Sequence, residues 1–463
     1  MNSSDTTQPI NKALLDACIH CGLCLPACPT YLATGREMES PRGRIYLLTQ
    51  WNSGEQELTP RLSEHIETCL GCLGCVTACP SGVQYGSILN AARPHIAAMR
   101  PANERAIMRF AFSNVLPNYA LLQIGGWFLR WWQLFRMSAF LKFLALPTAE
   151  YEQAAREGTL INPARKMLLR LHEWEAFLPK VPKHEALPRS SEQASETQPK
   201  VQLFFGCVMD VFYNHVNQAC FRLLEAQGKN VQVPPQTCCG ALAMHAGETD
   251  IARNLARQNI ALLEKSAGPI AVTAAGCGAM LKEYPELFND DPQWHERAEN
   301  VAKRFVDITE ALADGSFKAA VTAQFKQKAN ASGKPLGVAY HAACHLAHAQ
   351  NVREAPQSLL QGAVQDLGAD TMHLIPLREA EHCCGSAGIY NLLNTELSMK
   401  VLERKMEFIQ QTGADIVVTT NPGCMLQLEA GARERGLNIK VLHLCELLDS
   451  IYSAQSDSTP NHL

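Results

Sequence analysis

The polar and apolar positions give the chain two textures. Beyond residue 200, short apolar runs alternate with longer stretches of helical spacing. Val201-Gln202-Leu203-Phe204-Phe205, Ile270-Ala271-Val272-Thr273, Gly337-Val338-Ala339-Tyr340 and Ile416-Val417-Val418-Thr419 read as buried strands. Apolar strands separated by helices predict a parallel sheet. Ligands of such sheets sit beyond the carboxyl ends of the strands. The earlier part reads as helical. Residues 11–17 form a short helical lead-in, Ser40 before Pro41 is an N-cap with proline at the first helical position, and a helix follows Pro80 to about Arg100. Residues 179–200 hold four prolines, several Ser and Glu and few apolar residues, and read as an exposed linker.

The strand-and-helix half is an internal repeat. Val201–Cys207 parallels Gly337–Cys344, and Cys238-Cys239-Gly240 parallels Cys383-Cys384-Gly385. The strand before Gly276-Cys277 parallels the strand before Gly423-Cys424, and Val306–Glu310 parallels Leu442–Glu446. Thirty residues separate Cys207 from Cys238, and 38 separate Cys344 from Cys383. Each unit thus offers four cysteines, just after strands or in loops, to one sheet edge: Cys207, Cys238, Cys239 and Cys277, then Cys344, Cys383, Cys384 and Cys424. They suit a further iron–sulfur cluster in each unit. Zinc is the rival, because His345, His348 and His382 lie beside Cys344 and Cys383. The glycine after each cysteine pair is expected to let backbone approach an inorganic core closely. Cys220 and Cys445 lack counterparts in the other unit and read as core residues.

Two cysteine runs near the start carry the sharpest chemistry. Cys18, Cys21, Cys24 and Cys28-Pro29 repeat in spacing as Cys69, Cys72, Cys75 and Cys79-Pro80. This is the spacing by which bacterial ferredoxins hold two cubane clusters, the fourth cysteine of each run ligating the other cluster. Cluster one is therefore assigned to Cys18, Cys21, Cys24 and Cys79, and cluster two to Cys69, Cys72, Cys75 and Cys28. Structural zinc uses C-x-x-C pairs, but not two runs of four each closed by Cys-Pro. Forty residues separate the runs and are expected to be helical. Arg42 and Arg44 in this insert either dock near a cluster or a partner, or lie on a solvated helix start.

Composition adds bounds. The chain has 463 residues, a formal charge of −4 and eighteen cysteines. That charge does not suggest nucleic-acid binding. Met1–Ile10 lacks an apolar signal region, so the cysteines point to metal ligation in a reducing compartment. No run is long and apolar enough to span a bilayer. Residues 105–149 contain five Lys or Arg, three tryptophans, six phenylalanines and no Asp or Glu. That composition suits a membrane surface, but Arg130, Arg136 and Lys142 ring a helix rather than share one face. A broken helical hairpin, docked on the next domain, on a partner or on a membrane, is expected. No G-x-G-x-x-G follows a strand, so no nucleotide or flavin fingerprint is visible.

The order of motifs resembles a known family. Ala17-Cys18-Ile19-His20-Cys21-Gly22, Pro41-Arg42-Gly43-Arg44-Ile45-Tyr46-Leu47, Cys79-Pro80-Ser81-Gly82-Val83, Ala275-Gly276-Cys277-Gly278-Ala279 and Cys383-Cys384-Gly385-Ser386-Ala387-Gly388 are similar to iron–sulfur subunits of bacterial glycolate oxidase, from about residue 11 to 450. Related subunits serve lactate utilisation and anaerobic glycerol-3-phosphate oxidation. The resemblance implies an electron-transfer subunit of an oxidoreductase, with FAD-containing partner subunits that oxidise glycolate and a membrane quinone or another acceptor. It also implies a cytoplasmic place, peripheral on the inner face of the membrane. The Cys-Cys-Gly units further resemble heterodisulfide reductase, whose units end in C-x-x-C. Here Met280 and Gln427 replace the fifth thiolate, which counts against a disulfide-cleaving cluster. The expected architecture is multidomain: an α-helical two-cluster ferredoxin domain (1–100), a helical basic and aromatic connector (101–178), a linker (179–200), two repeated α/β Cys-Cys-Gly domains (201–330 and 331–452) and a flexible tail (453–463).

Overall fold

A computed structural model describes residues 8–135, 179–191, 198–313, 315, 317, 325 and 334–452. The rest of the basic and aromatic segment, including Arg136 and Lys142, and the tail 453–463 lie outside the described residues.

The N-terminal part is helical, with its main helices over Lys12–Asp16, Pro29–Thr34, Pro41–Asn52, Pro60–Glu67 and Tyr85–Ala98. Three of these begin with proline, whose fixed φ suits the first turn and whose missing N–H costs nothing there. Ser40 caps Pro41–Asn52 by accepting from Gly43 N at 3.0 Å, and Thr59 caps the next helix. Ile45, Leu48, Leu62, Ile66, Ile88, Leu89 and Ile96 form the core between these helices.

The second half holds two four-stranded sheets. The first contains β1 (Lys200–Phe204), β2 (Asn230–Gln232), β3 (Ile270–Val272) and β4 (Phe305–Asp307), in the order β2-β1-β3-β4. The second contains β5 (Leu336–Tyr340), β6 (Met372–Ile375), β7 (Ile416–Thr419) and β8 (Lys440–His443), in the order β6-β5-β7-β8. All pairings are parallel. β2, β4, β6 and β8 are additional to the strands read from the sequence. The two units pack reciprocally: helix Asn214–Ala226 lies on Leu444–Tyr452, and Ile308–Ala313 lies on Glu354–Leu367. Their apolar faces merge into one core running from Val201 and Leu224 to Leu442 and Ile451. Arg222 and Asp449 pair across this boundary at 2.5 Å.

Helices Ala102–Phe110 and Tyr119–Leu134, joined through a π-helical turn over Ala111–Val115, lie against the first unit. Arg105 and Arg109 both pair with the buried Glu248, and Arg109 also pairs with Asp250. Gly126 faces Val211 so closely that an added Cβ would stand 3.1 Å from its Cγ1. The described part of the segment expected as a docked hairpin, up to residue 135, thus lies docked on the next unit. The described part of the proline-rich stretch is held too: Val181 N bonds Gln133, and Ser190 pairs with Gln232 at the sheet edge. Among the described residues, no helix is long and apolar enough to cross a membrane.

Candidate iron–sulfur sites

Four groups of cysteines converge. Cys18, Cys21, Cys24 and Cys79 line one cavity of the helical part, and Cys28, Cys69, Cys72 and Cys75 line another. Cys75 stands between them and borders both cavities. Each run thus sends its fourth cysteine to the cavity of the other run. Thiols from distant chain positions around one small space are the donor set of an iron–sulfur cube. Donors to sulfur are in place: Gly71 N is 3.4 Å from Cys69 Sγ, and the Tyr85 hydroxyl is 3.6 Å from the same sulfur, while Cys28 Sγ shares a hydrogen bond of 3.2 Å with Thr30 Oγ1. Burial raises the Cys28, Cys24 and Cys75 thiols, so their ionised forms need a bound cation to offset the lost hydration.

The two arginines of the insert both sit at cysteine loops. Arg42 donates to the His20 carbonyl at 3.2 Å and pairs with Glu37 at 2.6 Å. Arg44 is fully buried, bonding His65 O at 2.7 Å, Thr30 Oγ1 at 3.1 Å and Glu39 at 2.9 Å. The solvated-start reading fails for Arg44, because its fork has buried acceptors on three sides.

In the first repeat unit Cys207, Cys238, Cys239 and Cys277 come together beyond the strands. Cys207 and Cys238 sulfurs are 3.8 Å apart, and Cys239 contacts both Cys238 and Cys277. The second unit repeats the chain of contacts through Cys344, Cys383, Cys384 and Cys424. Cys207 opens one helix, while Cys277 and Cys424 fall in the first turns of Ala275–Lys282 and Pro422–Glu434. Helix N-termini favour the negative charge of thiolates. Neighbouring sulfurs and burial raise Cys207 and Cys239, whereas Cys238, accepting from both, is lowered.

The glycine of each cysteine pair has a different reason from the one expected. Gly240 and Gly385 have φ of 89° and 95°, a left-handed conformation. A Cβ on Gly385 would lie 2.6 Å from Ser398 O, so the bare face meets the next helix and not a cofactor.

Of the histidines named from the sequence, His348 and His382 are turned elsewhere, and His345 meets Cys344. His348 Nδ1 bonds Thr77 Oγ1 at 2.9 Å, His382 pairs with Glu379 at 2.7 Å, and His345, 3.6 Å from Cys344 Sγ, packs on His245. His341 is the residue that sequence reasoning missed. It is fully buried, and its ring, Cys384 Sγ and Cys424 Sγ all lie within 4.8 Å of one another. The available signal was its place three residues before Cys344, at the same strand end. Cys220 and Cys445 are core residues as expected, but they also meet each other and His443. Lys405 is pushed down to about 8 by burial, and its ammonium donates to the Glu379 and Ala380 carbonyls, with the charge of the Cys384 and Cys383 thiols acting against the burial.

Contacts also join the parts. Cys72 touches Cys383, and it packs with Leu70 against Cys344, Cys383 and Tyr390. The Tyr390 hydroxyl donates to Thr68 O at 3.0 Å.

Comparison with known proteins agrees with this geometry. A family model described as "4Fe-4S dicluster domain" matches residues 14–83, and one described as "Cysteine-rich domain" matches 201–282 and 338–429. The chain is 35% identical to the "Probable glycolate oxidase iron-sulfur subunit" of Bacillus subtilis, over 93% of this chain and 92% of that protein. It is 31% identical to the "Glycolate oxidase iron-sulfur subunit" of Escherichia coli, over 91% of each. It is also 31% identical to "Lactate utilization protein A" of an Exiguobacterium species, over 54% of this chain and 97% of that protein. With the cysteine sets in place and relatives matched over nearly their whole length, the chain belongs to the glycolate oxidase iron–sulfur subunit family.

Proposed function

We propose that the chain takes electrons from FAD-containing glycolate oxidase subunits and carries them towards a membrane quinone or another acceptor. Cys18, Cys21, Cys24 and Cys79 hold cluster one, and Cys69, Cys72, Cys75 and Cys28 hold cluster two, both [4Fe-4S]. The Cys207 and Cys344 sets each hold a further cluster or zinc. A flavin releases two electrons and a cubane accepts one at a time, so linked clusters let the pair leave in sequence.

The observation that carries this reading is the packing of Cys72 against the buried group that holds Cys383, Cys344 and Tyr390. It sets a ligand of cluster two against a thiol of the second repeat unit, which a relay requires and isolated structural sites do not. Support for a membrane or partner surface comes from helix Tyr119–Leu134. Leu121, Ile124, Phe128 and Trp131 lie exposed on one side at helical spacing, away from the first unit. On this reading the protein sits at the inner face of the cytoplasmic membrane. A second reading replaces glycolate with lactate, favoured by the likeness to Lactate utilization protein A.

Anaerobic co-purification with its complex tests the proposal. A flavoprotein should be recovered, and glycolate or lactate should reduce both the flavin and this chain's clusters. Recovery with no flavoprotein, or flavin reduction that never reaches the clusters, would overturn it.

A further inference from the structure

The second cysteine set differs from the first at His341, a residue with metal-binding chemistry. At the end of β5, His341 is held by its backbone N–H, which donates to Val418 O at 2.8 Å. Its side chain is 0% exposed, yet neither ring nitrogen completes a hydrogen bond. The Ala380 carbonyl stands close enough to the ring to favour a proton on one nitrogen. Buried polar groups are nearly always paired, so an imidazole whose other nitrogen is left idle indicates a missing partner. The sulfurs of Cys384 and Cys424 lie within 4.8 Å of the ring's ligand atom and of each other. That is the spread of donors around one shared ion, since zinc or iron stands about 2.0–2.3 Å from each N or S ligand. In the first unit the matching position, three residues before Cys207, is Phe204. It is equally buried and packs edge-on against Phe305. An apolar ring there cannot ligate. Gln427 is no substitute in the second unit, because its amide is committed to Asn391 and Ser398 at 3.0 and 2.9 Å.

We propose that His341 is a ligand of the metal centre held by Cys344, Cys383, Cys384 and Cys424. The two repeat units are therefore chemically unequal: the first offers sulfur alone, and the second offers sulfur and nitrogen. The inference rests on reading the second set as a metal site.

The test uses the full chain purified anaerobically, labelled with nitrogen-15 at histidine. Pulsed EPR across a redox titration reads the coupling of a directly bound nitrogen, which exceeds that of hydrogen-bonded amides. If metal analysis finds zinc, X-ray absorption at the zinc edge reads a nitrogen scatterer beside the sulfurs. The nitrogen signature should be present in wild type and absent in His341→Phe, which copies the first unit. His341→Cys should keep the metal and lose the nitrogen signal, which separates ligation from misfolding. A metal centre with sulfur ligands only, or an unchanged signature in His341→Phe, overturns the role of His341 alone. Metal content that does not change in Cys383→Ser and Cys384→Ser overturns the metal site itself, and this inference with it.

Discussion

The thiols of Cys72 and Cys383 are in contact across the boundary between the ferredoxin-like helices and the second repeat unit. Two metal centres that share such a boundary are close enough for their unpaired electrons to interact. Reduced cluster two is expected to relax faster, and to show a broadened EPR signal, whenever the second-unit centre is paramagnetic. Cys383→Ser should restore the relaxation of an isolated cube. Identical relaxation in wild type and variant would remove the second unit from the relay.

Arg44 and Glu39 form a buried ion pair at 2.9 Å, with Thr68 and His65 also bonded to the carboxylate. Removing one member of such a pair costs about 3–5 kcal/mol, because the other charge stays buried without its partner. Arg44→Met should therefore lower the thermal midpoint well beyond Arg42→Met, whose partner Glu37 is exposed. Adding Glu39→Gln to Arg44→Met should recover part of the loss. Equal midpoints for the two arginine variants would contradict the burial argument.

The same site sets a pH dependence. Burial alone would raise the Glu39 carboxyl, but the Thr68 hydroxyl, the His65 ring and Arg44 hold it below its ordinary value. A carboxyl depressed on folding contributes stability that is fully present above its unfolded pKa, about 4.3 for glutamate. That stability fades as pH falls through the lower, folded value. Wild type should thus lose more stability than Glu39→Gln between pH 5 and the acid limit, as read by thermal unfolding at each pH. Parallel curves would show that Glu39 is not depressed.

How much of this was legible in the sequence depends on what each signal encodes. The spacing of Cys18, Cys21, Cys24 and Cys28 describes local wrapping, so it pointed to the cavities directly. The repeat gave all eight cysteines of the Cys-Cys-Gly sets, because the strands that aim them are apolar and recur. β2, β4, β6 and β8 escaped because each spans three or four residues and carries a polar one, Asn230, Asp307, His373 and Lys440 among them, too short a pattern to read. His341 escaped because its meaning depends on which side of a strand end faces the thiols, while the more conspicuous His348 and His382 turn to other partners and His345 meets Cys344 and His245. The role of Gly385 was misread for a similar reason: a glycine motif does not state which neighbour demands the missing Cβ.

Helix Tyr119–Leu134 carries the next expectation. Trp127 and Trp131, and Trp131 and Phe135, pack as tilted ring pairs with centroids 6.1 and 4.4 Å apart along its exposed side. Fully burying one such ring stabilises an association by about 1.5–3 kcal/mol. Phe128→Ser with Trp131→Ser should therefore weaken binding to anionic liposomes by about tenfold or more, leaving cluster content unchanged. Unaltered or absent liposome binding would assign the face to a protein partner.

Cys79 is far from Cys18 in sequence, yet it borders the cavity of Cys18, Cys21 and Cys24, while Cys28 borders that of Cys69, Cys72 and Cys75. If ligation follows these cavities, a serine at either fourth position damages the cube of the opposite run. Cys79→Ser should remove the EPR signal of cluster one and about half of the ferredoxin-type iron and sulfide, since two cubes share that content. Cluster two should survive, because Cys28 and its three partners are untouched. Cys28→Ser should do the reverse, and the loss should reach the second repeat unit, since cluster two is the cube in contact with Cys383. The magnetic interaction with that unit should therefore vanish in Cys28→Ser and persist in Cys79→Ser. The opposite assignment, each run closing its own cube, predicts the reverse pattern in both measurements, so one pair of variants decides between them.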